Sequence, residues 1–240
     1  EDTIMKSCNR AHQTHRRRSL PASLLMALGT LGGTSAGMAA DHFAVGDFKN
    51  DGYDDLIVGV PYEDVGTRVN AGAVSLFDGT GSGLSAEPAQ QLHQDTGALG
   101  SRAAIPDQAE AWDHFGKVLA VGDFDNDGYD DAAIAAPRED LGQNNTQEHA
   151  GVVHILYGSG QGLHGPRNSV LSPELFYPSD QLSGKYFGGA LAAGDLNGDG
   201  YDDLAVGIPG APDYTRAEGK MMKFSGVVAV FFGGTGGLTD

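Results

Sequence analysis

One sequence segment occurs three times in this chain, and the repetition limits the available folds more than any other feature. The copies span residues 44–61, 120–137 and 193–209, and each contains Asp-Gly-Tyr-Asp-Asp. A second motif, a glycine followed by an alternating apolar run, comes after each copy, at residues 71–77, 151–157 and 226–232. A Gly-Leu pair then closes each unit. Three motifs that recur in the same order about every 70 residues predict a repeat architecture.

Each unit has the pattern of a short antiparallel meander. In the middle unit, apolar runs at 117–121 and 132–136 flank the Asp-rich turn, and the run at 151–157 follows. Short runs of small and β-branched residues between turn residues are typical of strands. A fourth strand is only weakly marked, at residues 169–176. The sequence therefore predicts an all-β fold of β-propeller blades, each a four-stranded antiparallel sheet.

The residues around these strands resemble the FG-GAP repeat. The matching segments are Phe115-Gly116 and Ala135-Ala136-Pro137 in the middle unit, and Phe187-Gly188 and Gly207-Ile208-Pro209 in the third. The first unit departs from the pattern, because His42-Phe43 runs directly into Ala44 without the usual glycine and spacer. The FG-GAP repeat forms the blades of the integrin α propeller and also occurs in many secreted bacterial proteins. The resemblance therefore implies an integrin-α-like β-propeller.

On this reading the chain divides into an upstream segment and three repeats. Residues 1–40 form the upstream segment with a signal peptide, and the repeats span 41–112, 113–184 and a truncated 185–240. Propellers have four to eight blades, so three repeats predict an incomplete ring or part of a larger propeller. Open blade edges expose unpaired backbone groups, which leads us to expect self-association through these edges.

The Asp-rich turns carry the main chemical signal. The second turn places carboxylates at positions 1, 3 and 5 and glycine at position 6, as at the start of an EF-hand loop. Turn chemistry alone is the alternative, because Asp, Asn and Gly all favour turns. However, two carboxylates ~5 Å apart repel by roughly 3 kcal/mol at an effective dielectric of ~20. Several converging carboxylates therefore favour a bound Ca²⁺.

The FG-GAP resemblance implies the ligand set of each turn, with the tyrosines contributing their carbonyl groups. In the second turn the ligands are Asp123, Asp125, Asp127, Tyr129 and Asp131; in the third they are Asp195, Asn197, Asp199, Tyr201 and Asp203. In the first turn Lys49 occupies the third ligand position, which leaves Asp47, Asp51, Tyr53 and Asp55. The Lys49 ammonium could replace the ion or point into solvent. Asp54, Asp130 and Asp202 alternate away from the ligands, so we expect them to face solvent.

Composition excludes several classes of protein. The chain has 15 Lys and Arg against 32 Asp and Glu, a net charge of −17, which would repel nucleic acid. The single Cys8 excludes a disulfide scaffold and a multi-cysteine zinc site.

The N-terminal segment has the order of a secretory signal. Basic residues between Lys6 and Arg18 precede an apolar run at 20–31, and small residues lead to Ala39-Ala40. The apolar run is too short to span a bilayer. We therefore expect a secreted, extracellular protein without a membrane span.

Two classes of function remain open. Residues 41–240 contain neither a Gly-x-Ser-x-Gly elbow nor a His-Glu-x-x-His motif, and the histidines show no ligand spacing. The favoured function is a non-catalytic module for adhesion or recognition of an unidentified extracellular protein or glycan, with structural calcium in the blade loops. The alternative is the propeller part of a secreted hydrolase of the esterase or phospholipase type.

Overall fold

The structure is a computed structural model that describes residues 42–96, 108–143, 145–164, 168–211 and 226–239. The predicted signal peptide lies outside these residues. Within them, no helix has the length and apolar character needed to cross a membrane.

Eleven strands form three separate antiparallel sheets in the described part of the chain. The first blade contains β1 (Phe43–Gly46), β2 (Asp55–Val60), β3 (Ala73–Phe77) and β4 (Gln90–Leu92). The second blade contains β5 (Val118–Gly122), β6 (Asp131–Ala136), β7 (Val152–Leu156) and β8 (Ser169–Leu171). The third contains β9 (Ala190–Gly194), β10 (Asp203–Ile208) and β11 (Val227–Phe231).

Strands that are consecutive in sequence are neighbours in each sheet, as in the meander of a propeller blade. This confirms the predicted all-β fold of propeller-type blades. The third sheet has three strands in the described residues. In the second blade, β8 is shorter than predicted, because a 3-10 helix at Pro173–Leu175 follows it and proline cannot donate to a strand ladder.

The blades pack face to face in chain order, and the core lies between them. We call the face of a blade that is turned towards the next blade its trailing face, and the opposite face its leading face. Val74 and Leu76 on the trailing face of the first blade pack with Ile134 and Leu156 on the leading face of the second. The same arrangement recurs one blade later, where the trailing residues are Phe124, Val153, Ile155 and Tyr157 and the leading residues are Leu204, Val206 and Phe231.

A polar contact also repeats between blades and corrects one prediction. The Asp130 carboxylate accepts a hydrogen bond from the Asp47 N–H at 2.8 Å, and the Asp130 N–H donates to the Asp47 carbonyl. Asp202 makes the same pair of bonds with Asp123. Asp130 and Asp202 are therefore half-buried and join neighbouring blades, whereas we expected them to face solvent. The alternation of side chains along a strand correctly separated these two residues from the predicted ligands. It could not show that a neighbouring sheet would cover them.

Candidate metal centre and ligand-binding groove

The second Asp-rich turn is held in shape by its own carboxylates. Asp123 accepts hydrogen bonds from the N–H groups of Asp127 and Gly128, and Asp127 accepts one from Tyr129. Gly128 has φ 92°, a conformation that favours glycine. The backbone thus turns sharply between β5 and β6, and alternate side chains are directed into the bend.

Three of the predicted ligands lie together in this turn. Asp123, Asp125 and Asp127 each offer a carboxylate oxygen, and these atoms lie within 4.8 Å of one another. Carboxylate oxygens are the ligands that hard divalent cations prefer. This trio of carboxylates could therefore hold a metal ion.

Asp131, the last predicted carboxylate of this turn, also ties the turn to the sheet. It is buried, and its two carboxylate oxygens accept hydrogen bonds from Gly158 and Phe124, each at 2.9 Å. Burial raises the pKa of Asp131 to about 8, with a further contribution from the charges of Asp123 and Asp127, although the two N–H donors oppose the shift. Burial likewise raises the pKa of Asp123. A cation would relieve this concentration of negative charge. Whether Asp131 and the Tyr129 carbonyl are ligands stays a prediction.

The third turn repeats the geometry with one carboxylate fewer. Asp195 accepts hydrogen bonds from the N–H groups of Asp199 and Gly200, and the buried Asp203 accepts bonds from Leu196 and Gly233. The Asn197 side-chain amide donates to Asp199 at 2.9 Å. An amide at position 3 therefore lowers the charge of the turn while keeping an oxygen available. The ligand role predicted for the Tyr201 carbonyl is not tested by these contacts; the Tyr201 N–H donates to Asp199.

The first turn has a cation of its own. The Lys49 ammonium lies 2.8 Å from a carboxylate oxygen of Asp78 and 3.7 Å from one of Asp51. Burial alone would lower the pKa of Lys49, but the Asp78 hydrogen bond and the charges of Asp55, Asp78 and Asp51 raise it overall. The sequence left open whether the Lys49 ammonium replaces an ion or points into solvent. In the structure it lies within the acidic turn, next to Asp51 and Asp78. Sequence analysis missed Asp78, which lies beyond β3 and far from the turn in sequence.

The backbone of the first turn nevertheless follows the other two. Asp47 accepts hydrogen bonds from Asp51 and Gly52, and the Tyr53 N–H donates to Asp51. Asp55 is buried and accepts a bond from Gly79 at 2.7 Å, which matches Asp131 and Gly158 one blade later. Burial raises the pKa of Asp55 to about 6.

A second acidic cluster joins residues that are distant in sequence. Carboxylate oxygens of Glu110, Asp113 and Glu139 lie within 4.8 Å of one another. Side-chain amides already donate into the cluster, from Gln94 to Glu139 and from Asn145 to Glu110. No motif marks these residues, so only the packing of the second blade's loops could reveal them.

The opposite end of the blades carries a groove of about 360 Å³ that residues of all three repeats line. Strands β5 and β6 run between this end and the acidic turn, so the groove and the turns lie at opposite ends of the sheets. Lys117, Arg138, Tyr62, Tyr186 and His114 are among its lining residues. The described residues provide no carboxylate ion-pair partner for Lys117 or Arg138. The lining therefore contains two cations, and Asp113 and Glu139 of the acidic cluster directly adjoin its residues His114 and Arg138 in the chain.

Aromatic rings and unusual backbone geometry mark the same groove. The Lys117 ammonium lies 5.4 Å from the centroid of the Tyr62 ring, and Tyr62 contacts His114 edge to face. His114 and Tyr186 have φ of 58° and 53°, in the left-handed region. Burial lowers the pKa of His114 to about 4, and the charges of Arg138, Lys117 and His149 add to this shift.

Two phenylalanines and one histidine pack in the core. Phe115 and Phe187 are fully buried between blades. His154 is also fully buried and contacts Phe115 edge to face at 5.2 Å. Burial lowers the pKa of His154 to about 3, so the ring is neutral near pH 7.

The sheets, their face-to-face packing and the repeated acidic turns define a β-propeller repeat protein. A protein-family model described as the FG-GAP repeat matches residues 39–77, 115–156 and 187–220, and the chain is an FG-GAP repeat protein. These matches confirm the resemblance drawn from the sequence.

Curated relatives belong to two groups. The chain is 34% identical over 190 residues to phosphatidylinositol-glycan-specific phospholipase D of Bos taurus. The matched segment covers 79% of this chain and 20% of that protein. It is 32% identical over 163 residues to integrin alpha-4 of Xenopus laevis. This match covers 67% of this chain and 13% of that protein. The chain thus spans a fifth or less of the length of these relatives.

Proposed function

We propose that this chain is an extracellular, calcium-stabilised propeller module that recognises a protein or glycan ligand. One observation carries the proposal: a trio of carboxylates and a cationic, aromatic groove lie at opposite ends of the same blades. This separation gives the metal a structural role in the turns and leaves the groove for a ligand.

The calcium proposal rests on the chemistry of the turns. Asp123, Asp125 and Asp127 supply oxygen ligands from one short loop, and Asp131 places a buried carboxyl group beside them. A bound Ca²⁺ would neutralise the carboxylate charge and stabilise the connection between β5 and β6. The third turn offers the same ligand positions, with Asn197 at the third. In the first turn the Lys49 ammonium occupies the acidic pocket, so we propose that this turn binds no ion.

The recognition proposal rests on the groove. Lys117 and Arg138 suit carboxylate or sulfate groups, and the exposed Tyr62 ring offers an apolar contact beside them. An acidic peptide segment or an acidic glycan combines these features. The signal-like order of residues 5–40 and the resemblance to integrin α propellers support an extracellular location, where calcium is available.

Native mass spectrometry of the chain, with and without calcium, tests the metal proposal. We expect two ions per chain. Asp127→Asn should remove one ion and lower the calcium-dependent melting temperature, whereas Asp54→Asn, outside the ligand set, should leave both unchanged. Identical melting curves with calcium and with chelator would contradict a bound structural ion.

The groove needs a separate test, because metal binding and recognition could fail independently. Binding of the calcium-loaded chain to a glycan and peptide array should favour acidic ligands, and Arg138→Ala should weaken it about tenfold or more. Leu175→Ala, an exposed apolar residue outside the groove, is the matched control. Equal binding by both variants would show that ligands do not use the groove.

A hydrolase remains the second candidate, because the phospholipase D relatives match the chain over more residues than integrin alpha-4 does. Turnover of a chromogenic phosphodiester or ester by the purified chain, abolished by an active-site inhibitor, would favour this candidate over the recognition module.

A further inference from the structure

The start of the second Asp-rich turn is held by the third blade as well as by its own. The Asp123 N–H donates to the Asp202 carboxylate at 3.1 Å, and the Asp202 N–H donates to the Asp123 carbonyl at 3.1 Å. We call these two bonds the interblade clamp. One residue further along the turn, the Phe124 carbonyl accepts a hydrogen bond from the Gly234 N–H at 3.0 Å. Three hydrogen bonds from another sheet therefore fix the backbone at the first predicted ligand of this turn.

Asp202 is itself part of the third Asp-rich turn. It lies between Tyr201 and Asp203, whose carbonyl and carboxylate are predicted ligands of that turn. Its carboxylate, however, contacts the Asp123 N–H of the second blade. The backbone of Asp202 thus belongs to one predicted metal turn, and its side chain holds the other.

A second series of hydrogen bonds joins the same two turns. The Asp203 carboxylate accepts a bond from the Gly233 N–H at 2.9 Å. The next residue, Gly234, is the donor to the Phe124 carbonyl, and the Phe124 N–H donates to the Asp131 carboxylate at 2.9 Å. A Cβ atom at Gly233 would lie 2.9 Å from the Phe124 carbonyl oxygen, so glycine permits this close approach. The last predicted ligands of the two turns are therefore connected through the contact between the blades.

The interblade clamp is also tightly packed. A Cβ atom at Gly122 would lie 2.7 Å from a carboxylate oxygen of Asp202 and 2.9 Å from the Asp202 Cβ atom. Gly122 is the last residue of β5 and directly precedes Asp123. The Asp202 side chain thus contacts the chain where β5 enters the turn, and its position sets the position of the Asp123 backbone.

We propose that Asp202 is a positioning residue for the metal ion of the second turn and couples that turn to the third. This inference rests on the proposed metal function. Coordination through Tyr201 and Asp203 would hold Asp202 in place, and the clamp would then hold Asp123 in position for its own ion. Ligands that are already ordered lose less conformational entropy on binding. An ion in the third turn therefore favours an ion in the second, and the reverse holds by linkage.

The contact between the first and second blades provides an internal control. Asp130 binds Asp47 by the same pair of hydrogen bonds, and a Cβ atom at Gly46 would lie 2.7 Å from the Asp130 carboxylate. Because the Lys49 ammonium occupies the first turn, this copy of the clamp has no ion to position. Gly46→Ala and Gly122→Ala are therefore a matched pair of variants, and neither changes a charge.

Titration calorimetry of the full chain with calcium measures the coupling, and native mass spectrometry counts the ions. Asp199→Asn should leave only the ion of the second turn and Asp127→Asn only that of the third, so each variant gives one single-site association constant. In wild type the overall constant for two ions should exceed the product of these constants at least fivefold. When the same measurements are made in the Asp202→Ala variant, the overall constant should equal the product.

The positioning role is tested with the Asp199→Asn variant as the parent, because the second turn then holds the remaining ion. Added Asp202→Ala or Gly122→Ala should weaken calcium binding at least threefold. Asp202→Asn, which keeps an acceptor oxygen, should weaken it less, and Gly46→Ala should leave it unchanged. Denaturation curves at saturating calcium check that each variant folds.

The outcomes separate this inference from the metal proposal. Two ions that bind independently in wild type, or a coupling that Asp202→Ala leaves unchanged, would overturn the inference and leave the metal proposal intact. Equal losses in Asp202→Ala and Asp202→Asn would show that the carboxylate acts through its charge and would overturn the positioning role. A wild-type chain that binds no calcium would overturn the metal proposal, and this inference with it.

Discussion

The first and second blades contain nearly the same turn but balance its charge differently. Both turns are built by one pattern of backbone N–H groups donating to the first Asp, Asp47 or Asp123. In the second, three carboxylates converge; in the first, the Lys49 ammonium binds Asp78 and Asp51. The comparison shows that one pattern of hydrogen bonds shapes both turns, and we propose that the residue at position 3 decides whether a turn binds an external cation.

Exchanging the residues at position 3 tests this comparison with the largest expected effect. Asp125→Lys should abolish the ion in the second turn. If free calcium is 100 times the dissociation constant, the lost ion represents about 2.7 kcal/mol of unfolding free energy. Chemical denaturation at fixed calcium measures the loss of unfolding free energy, and titration calorimetry measures the loss of the bound ion.

The reciprocal change, Lys49→Asp, is the companion control. It should add one ion per chain and make the first turn sensitive to chelator. Unchanged ion counts in both variants would show that position 3 does not select the cation.

A second difference between these blades lies in the third strand, where Ser75 of the first blade corresponds to His154 of the second. The folded pKa of His154, about 3, lies below its unfolded value near 6.5, so between these values the unfolded chain takes up a proton that the folded chain does not. The stability that His154 contributes is therefore complete above about pH 6.5 and falls as the pH drops. At pH 5 the loss from this group is about 2 kcal/mol.

Unfolding free energies at pH 7 and pH 5 measure this loss. His154→Leu should remove about that part of the pH dependence. The contribution of His114, which has the same sign, and those of Asp55 and Asp131, whose raised pKa values act in the opposite direction, should persist. An equal pH dependence in wild type and His154→Leu would mean that the buried ring does not couple folding to pH.

The smallest expected effect concerns Asp130 and Asp54, which share a position but differ in their surroundings. Asp130→Ala leaves the Asp47 N–H without its acceptor, so it should lower the free energy of unfolding by about 1 kcal/mol. Asp130→Asn, which keeps an acceptor oxygen, should lower it less. Asp54→Ala should change it by under about 0.5 kcal/mol in dilute, monomeric protein. Urea denaturation ranks the three, and equal costs at both positions would remove the energetic distinction between an inner and an end blade.

Much of the fold could be predicted because it depends on local patterns. The strands around the turn at 123–131 were predicted to within one residue at each end, since short apolar runs between turn residues identify them. The Asp123, Asp125 and Asp127 trio was predictable for the same reason, because its members lie two residues apart. The weak fourth strand was predicted too long, since proline at 173 starts a 3-10 helix there.

The sequence by itself therefore determined the repeat, the blades and the carboxylates of the turns, because each depends on residues only a few positions apart. The tertiary structure alone decided that Lys49 binds Asp78, that Asp130 and Asp202 join blades, and that three repeats together line the groove. These features require residues distant in sequence to meet, and their meeting depends on which face of one sheet covers the next.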